Sequence, residues 1–220
     1  HQSIYMRITQ RKQTNIEEKL NSISHGIAAL SSIIGFIALI IISATSNKDW
    51  AMFSALIYGF SLVTLYVCST LYHLSQDEKT KHTFRILDHC SIFLLIAGSY
   101  TPILLLSLGG ETGWLIFGIQ WMLVLIGIIL KIKNTGKHEA LSILLYIIMG
   151  WLIVFKWNDL ISSISNPAFN LLLYGGIIYT VGIMFYLLDS KIKYFHFIWH
   201  LFVIMGSTMH YIMIFKYVII

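Results

Sequence analysis

The stretch "SISHGIAALSSIIGFIALIIISA", Ser22 to Ala44, contains no Lys, Arg, Asp or Glu. At about 1.5 Å rise per residue, a helix of that length crosses the roughly 30 Å hydrocarbon core of a bilayer. Six further apolar stretches of spanning length follow, at about 50–73, 86–108, 113–131, 139–156, 168–188 and 194–216, with short polar breaks between them. Composition points the same way: the 220 residues are 57% hydrophobic and 11% charged, with a mean hydropathy of +0.76. A soluble domain is nearer half apolar and about a quarter charged. The expected fold is all-α, an integral membrane bundle of seven transmembrane helices. No linker is rich enough in Pro, Gly or Ser to mark a boundary, so residues 21–220 read as one transmembrane domain. Residues 1–20, "HQSIYMRITQRKQTNIEEKL", read as a polar N-terminal arm with a weak pattern for an interfacial helix. These polar first residues do not form a cleavable signal peptide pattern.

Charge fixes the expected orientation. Arg7, Arg11, Lys12, Lys19, Lys79, Lys81, Arg85, Lys131, Lys133, Lys137, Lys191 and Lys193 fall on one side, and Lys48, Lys156 and Lys216 on the other. Twelve basic residues against three, in short loops, predict a cytoplasmic N-terminus and an extracytoplasmic C-terminus. Trp50, Trp114 and Trp157 would then lie at the outer interface, where an aromatic belt is expected. The net charge of +5 is thus an orientation signal, and nucleic acid is set aside as a partner. Cys68 and Cys90 sit in apolar stretches as small hydrophobes, without a CxxC pair or a disulfide framework.

Ionisable side chains inside spans are costly and usually functional. Segment 2 ends with Ser69 and His73 on one helical face, four residues apart. Segment 3 begins with Asp88, which shares a face with Ser91 and Ser99. Segment 7 carries His196 and His200 on a face that continues through Val203 to Ser207 and His210. His200 lies about 9 Å in from Tyr194, so His73, Asp88, His196 and His200 occupy one layer near the inner boundary. Three neutral imidazoles with an open fourth position suit a catalytic zinc, which lowers the pKa of water from about 15.7 to about 7. Asp88 would orient that water and accept its proton, and Ser69 would donate to a ligand or a developing oxyanion. The bland alternatives stay open. The HxxxH pair also fits core histidines bonded to backbone or serine, and Asp88 also fits an ion pair with Arg85.

The remaining histidines are weaker candidates. His25 shares a face with Asn21, Ala28 and Ser32 and reads as packing around the site or lining its cavity. His89 points about 100° from Asp88, so the two cannot enter one site. His82 and His138 are loop residues, and His210 lies about 15 Å beyond His200. Pro102 is expected to kink segment 3 toward its outer end.

"STLYH" (Ser69–His73), "LDHCSIFLLIAGSYTP" (Leu87–Pro102) and "HFIWHLFVIMGS" (His196–Ser207) resemble the haemolysin III family. These are bacterial relatives of the progestin and adiponectin receptors, in a wider group with the alkaline ceramidases. "EKLNSISHG" (Glu18–Gly26) resembles that family's opening motif, and the likeness covers about residues 17–215. The resemblance implies seven helices with a cytoplasmic N-terminus and a Zn2+ near the cytoplasmic face, held by His73, His196 and His200. It implies that Asp88 contacts the zinc through water, with Ser69 beside it. Glu18, Asn21, His25, Ser91 and Ser207 are expected around the ligands or along the cavity.

The leading functional expectation is a zinc-dependent hydrolase of the cell membrane, acting on an amide or ester bond of a membrane lipid. A cytolytic protein and a lipid-responsive receptor with structural zinc are the competing readings. A rhodopsin-like reading fails because Lys216, the only lysine toward the end of segment 7, lies at the boundary rather than mid-membrane. A transporter lacks the repeated broken helices it would need.

Overall fold

Helix α1 (Asn15–Thr45) starts at a capping box: Thr14 Oγ accepts from Glu17 N, and the Glu17 carboxylate accepts from Thr14 N. The structure, a computed structural model, describes residues 11–135 and 139–220. Residues 1–10 of the N-terminal arm, with Arg7, and the loop residues Lys137 and His138 lie outside the described residues. Residues 15–20, read from sequence as the end of the arm, are instead the opening turns of α1. The pattern of spanning hydropathy begins later than the helix because this cap is polar. At 31 residues α1 is roughly 46 Å long, so its first turns project past the hydrocarbon.

The chain continues through α2 (Ala51–Leu74), α3 (Glu78–Pro102), α4 (Gly110–Asn134), α5 (Glu139–Trp151), α6 (Trp157–Ser163), α7 (Asn166–Leu188) and α8 (Phe195–Met213). Among the described residues, seven helical segments are long and apolar enough to cross a membrane, α5 and α6 forming one of them, Glu139–Ser163. The chain is a multi-pass membrane protein. Its core includes Tyr58, Leu62, Leu65, Leu95, Leu104 and Val203, with a satellite of Phe93, Ala97, Val124 and Met149. The outer surface is apolar as well: Ile34 is 70% and Phe155 87% exposed, which suits hydrocarbon as the surrounding solvent.

Short connections make successive spans antiparallel. The start of α1, the end of α2, and the starts of α3 and α8 therefore meet at one end of the bundle. At the other end Trp50 meets Trp114 edge-on at 5.0 Å, and Trp157 meets Phe169 in the same way. Close approach of α2 and α3 depends on Gly98, where a Cβ would lie 2.5 Å from Ser61 Oγ.

Two irregularities depart from the sequence expectation. Pro102 ends α3 in ordinary helical geometry, and the backbone then widens into a π-helical turn, Ile103–Leu108, rather than kinking sharply at the proline. Gly109 N closes that turn on Leu104 O at 2.9 Å, and the positive φ of Gly109 and Gly110 redirects the chain into α4. The fifth span runs on to Ser163, past the expected end near 156, because a 3-10 segment, Leu152–Lys156, joins α5 to α6. Neighbouring side chains fill the broken ladder: Tyr100 OH donates to Gly150 O and accepts from Ile153 N, while Gln120 Nε2 donates to Met149 O at 2.8 Å.

Candidate metal centre

The last turn of α2 presents His73, and the first two turns of α8 present His196 and His200, one above the other through their i, i+4 spacing. All three are buried, and one nitrogen from each lies within 4.8 Å of the others. The opposite ring nitrogens are held. His73 Nδ1 meets Glu18 Oε2 at 2.6 Å, and His196 Nδ1 meets Asp189 Oδ2 at 2.7 Å. Ser24 Oγ donates to Asn21 O and lies 3.2 Å from His200 Nδ1, which leaves it to accept from that nitrogen.

Protonation follows from these partners. An ionised carboxylate only accepts, so the Nδ1 of His73 and of His196 carries a hydrogen, and in the neutral ring the lone pair is then on Nε2. Those two Nε2 atoms face each other at 3.2 Å. Two lone pairs at that distance repel unless a cation lies between them. A proton bridges two nitrogens; a metal ion engages all three. Imidazoles whose second nitrogen is fixed by a carboxylate or hydroxyl are the usual donor set for such an ion.

Beside the trio, Ser69 links two further groups. Its hydroxyl is 2.6 Å from His25 Nδ1, and the Asp88 carboxylate feels its dipole. The His25 ring lies flat on that of His200, with centroids 3.5 Å apart. Arg85 pairs with Glu139 at 3.8 Å, and among the described residues it forms no ion pair with Asp88. Asp88 is partly buried and interacts electrostatically with His196.

The other expected residues take distinct places. Glu18 holds His73 and also accepts from Lys81 Nζ at 3.0 Å. Asn21 is buried and donates to Gln13 Oε1, so its contribution to the ligands runs through its backbone carbonyl and Ser24. Ser91 donates to the backbone carbonyl of Asp88 rather than to the carboxylate. Ser207 pairs with Tyr66 OH, and the Tyr66 ring meets the edge of His25 at 5.0 Å, so Ser207 is two contacts from His25 and three from His200. His89 lies in a separate cluster with Lys131 Nζ at 3.2 Å, and His210 Nε2 donates to Leu172 O at 3.0 Å, away from the trio.

Sequence reading missed Asp189 and Ser24. Asp189 begins a loop rich in lysine and reads there as a solvated charge. Its one signal is position, an acid at the same membrane boundary as the histidines. Outside the spans, Arg11 lies against Glu17, whose carboxylate holds the guanidinium above its ordinary pKa.

Comparison with known proteins agrees along nearly the whole chain. Residues 13–211 match the family described as haemolysin-III related. The chain is similar to Hemolysin-3 of Bacillus cereus, 43% identical over 213 residues and covering 97% of each protein. It is also similar to the Hemolysin-3 homolog of Bacillus subtilis, 43% identical over 87% of this chain and 90% of the relative. The human monocyte to macrophage differentiation factor is 31% identical over 94% of this chain and 86% of its own length.

Proposed function

This chain belongs to the haemolysin-III-related family of multi-pass membrane proteins, and from that premise we propose that it is a plasma-membrane hydrolase using zinc to cleave an amide or ester bond of a membrane lipid. The observation that carries this reading is the convergence of three buried imidazoles, each with its Nδ1 already held. His73, His196 and His200 would hold the ion, and a set of three neutral imidazoles suits zinc. When bound, zinc supplies Lewis acidity and lowers the proton affinity of water at the site.

The chain's own residues do the rest. Glu18 and Asp189 keep two rings in the tautomer that presents Nε2. Asp88 takes a proton from water as it adds to the lipid carbonyl carbon, and returns it to the nitrogen or oxygen that leaves as the C–N or C–O bond breaks. Ser69, held by His25, would steady that carboxylate. Lipid is the favoured substrate because the site lies among spans at one end of the bundle. A cavity of about 140 Å³, lined by Ile92, Ile96, Tyr146, Leu172, Tyr179 and Trp199 among others but not by the three histidines, offers apolar walls to a chain. The positive-inside count supports a position for this end at the cytoplasmic leaflet.

Elemental analysis of detergent-purified protein tests the reading, paired with release of fatty acid from a total lipid extract. Stoichiometric zinc in the wild type, its loss in His196→Ala, and fatty acid release by the wild type alone are expected. Metal-free wild type overturns the site; loaded protein that turns over no lipid overturns the hydrolase.

The similarity to a protein named Hemolysin-3 supports a second reading, membrane lysis. Erythrocyte lysis by wild type and by a His73→Ala, His196→Ala variant at equal expression separates the two. Lysis that survives loss of the imidazoles is independent of the metal chemistry.

A further inference from the structure

We propose that Arg11 and Glu17 are positioning residues for the metal centre, clamping the connection between α7 and α8 so that Asp189 meets His196. The proposal rests on the metal reading above. Only six residues, Asp189 to Tyr194, join the two helices, and none is Gly or Pro. Tyr194 nevertheless has a φ of 67°, a left-handed conformation uncommon for a bulky residue. Nor does α8 have a side-chain cap at its N-terminus. Within the connection, Lys191 N and Ile192 N both donate to Leu188 O at 2.9 Å, while an element outside the loop holds its Tyr194 end.

That element is the start of α1. The Tyr194 backbone N–H donates to Glu17 Oε1 at 2.7 Å, across 177 residues of chain. Arg11 forks onto the same carboxylate, with Nη1 to Oε2 at 2.8 Å and Nη2 to Oε1 at 2.7 Å. Nη2 also reaches the carbonyls of Asp189 and Ile192 at 3.4 and 3.5 Å. Thr14 adds its backbone N–H and hydroxyl to Oε2, each at 2.9 Å. A capping box requires only one bond from its glutamate. Here the side chain, 1% exposed, gathers donors from Arg11, Thr14 and Tyr194, and the additional bonds fasten the loop that carries Asp189.

The placement has a wider logic. Glu18, the next residue, holds His73, and Ser24 holds His200. Helix α1 supplies none of the three candidate ligands, yet it fixes two of them directly and the third through the clamp. Asp189 is 20% exposed at its side chain and sits among lysines, so a released loop would let water and Lys191 or Lys193 compete for it.

Cobalt titration of the full chain in detergent, read by visible absorption and chelator competition, tests the clamp. Arg11→Gln and Glu17→Gln should each weaken Co2+ binding about 10-fold or more, the range for partners that orient ligands. Asp189→Asn should do the same. Glu17→Gln should then add no more than about twofold in the Asp189→Asn background, because both act through one contact. Thr14→Ala, which loosens the cap but leaves the loop's bonds in place, should stay within about twofold of wild type. Unchanged affinity in Arg11→Gln overturns the proposal, as does a full effect of Glu17→Gln on top of Asp189→Asn. If Glu17→Gln fails to fold, Arg11→Gln decides, since it keeps the Thr14 and Tyr194 bonds. Wild type that binds no metal sinks the metal reading and the clamp together; wild type and Arg11→Gln binding equally well sinks the clamp alone.

Discussion

Each candidate ligand is defined by what holds its far nitrogen. His73 and His196 donate to carboxylates and His200 to a hydroxyl, so the three lone pairs point inward together. If Asp88 handles the proton and the imidazoles hold the ion, the roles separate on mutation. Asp88→Asn should keep its metal and lose at least about 100-fold in lipid turnover, the size of a general-base contribution. His200→Ala should lose both. Acidification should release the metal, because protons compete for the same lone pairs; equilibrium dialysis at falling pH measures this. His73, His196 and His200 were legible in the sequence through their spacing and a shared depth counted from Lys and Arg. Asp189, Ser24 and Arg11 were not, because an acid, a hydroxyl and a guanidinium at a membrane boundary read as ordinary solvated groups until their partners are known.

The helices were legible through hydropathy, and their ends through chemistry that hydropathy does not register. Helix α1 begins a turn or more before its apolar run because Thr14 and Glu17 cap it. Asp77 caps α3 by accepting from Thr80 N at 2.9 Å and Thr80 Oγ at 2.8 Å, and those bonds hold its carboxyl below the ordinary value. A depressed folded-state pKa contributes stability that is present above the unfolded value and lost as pH falls through the folded one. Asp77→Ala should therefore remove a small acid-side loss of stability, read from unfolding midpoints across pH. The break between α5 and α6 depends on a residue of another span. Tyr100→Phe leaves Gly150 O and Ile153 N without that partner, and should cost about 1–3 kcal/mol in unfolding free energy while metal affinity is unchanged. No pattern within residues 139–163 announces the break, since its partner is some fifty positions upstream.

Across the whole molecule, one end collects most of the basic residues and the three imidazoles, and the other Trp50, Trp114 and Trp157. Cysteine labelling in a Cys68→Ala, Cys90→Ala background tests the orientation. Lys79→Cys should react only after the membrane is opened, and Lys48→Cys in intact cells; the reverse pattern would invert the topology. The number of spans follows from sequence alone, because each crossing requires its own continuous apolar stretch of about 20 residues and nothing distant can substitute for it. The expected side of the membrane is also a local sum over charges. Which atom holds which imidazole was decided only by packing. Ser24 and His200 are 176 residues apart, Glu18 and His73 55, and bonds across such separations form only where the helices cross.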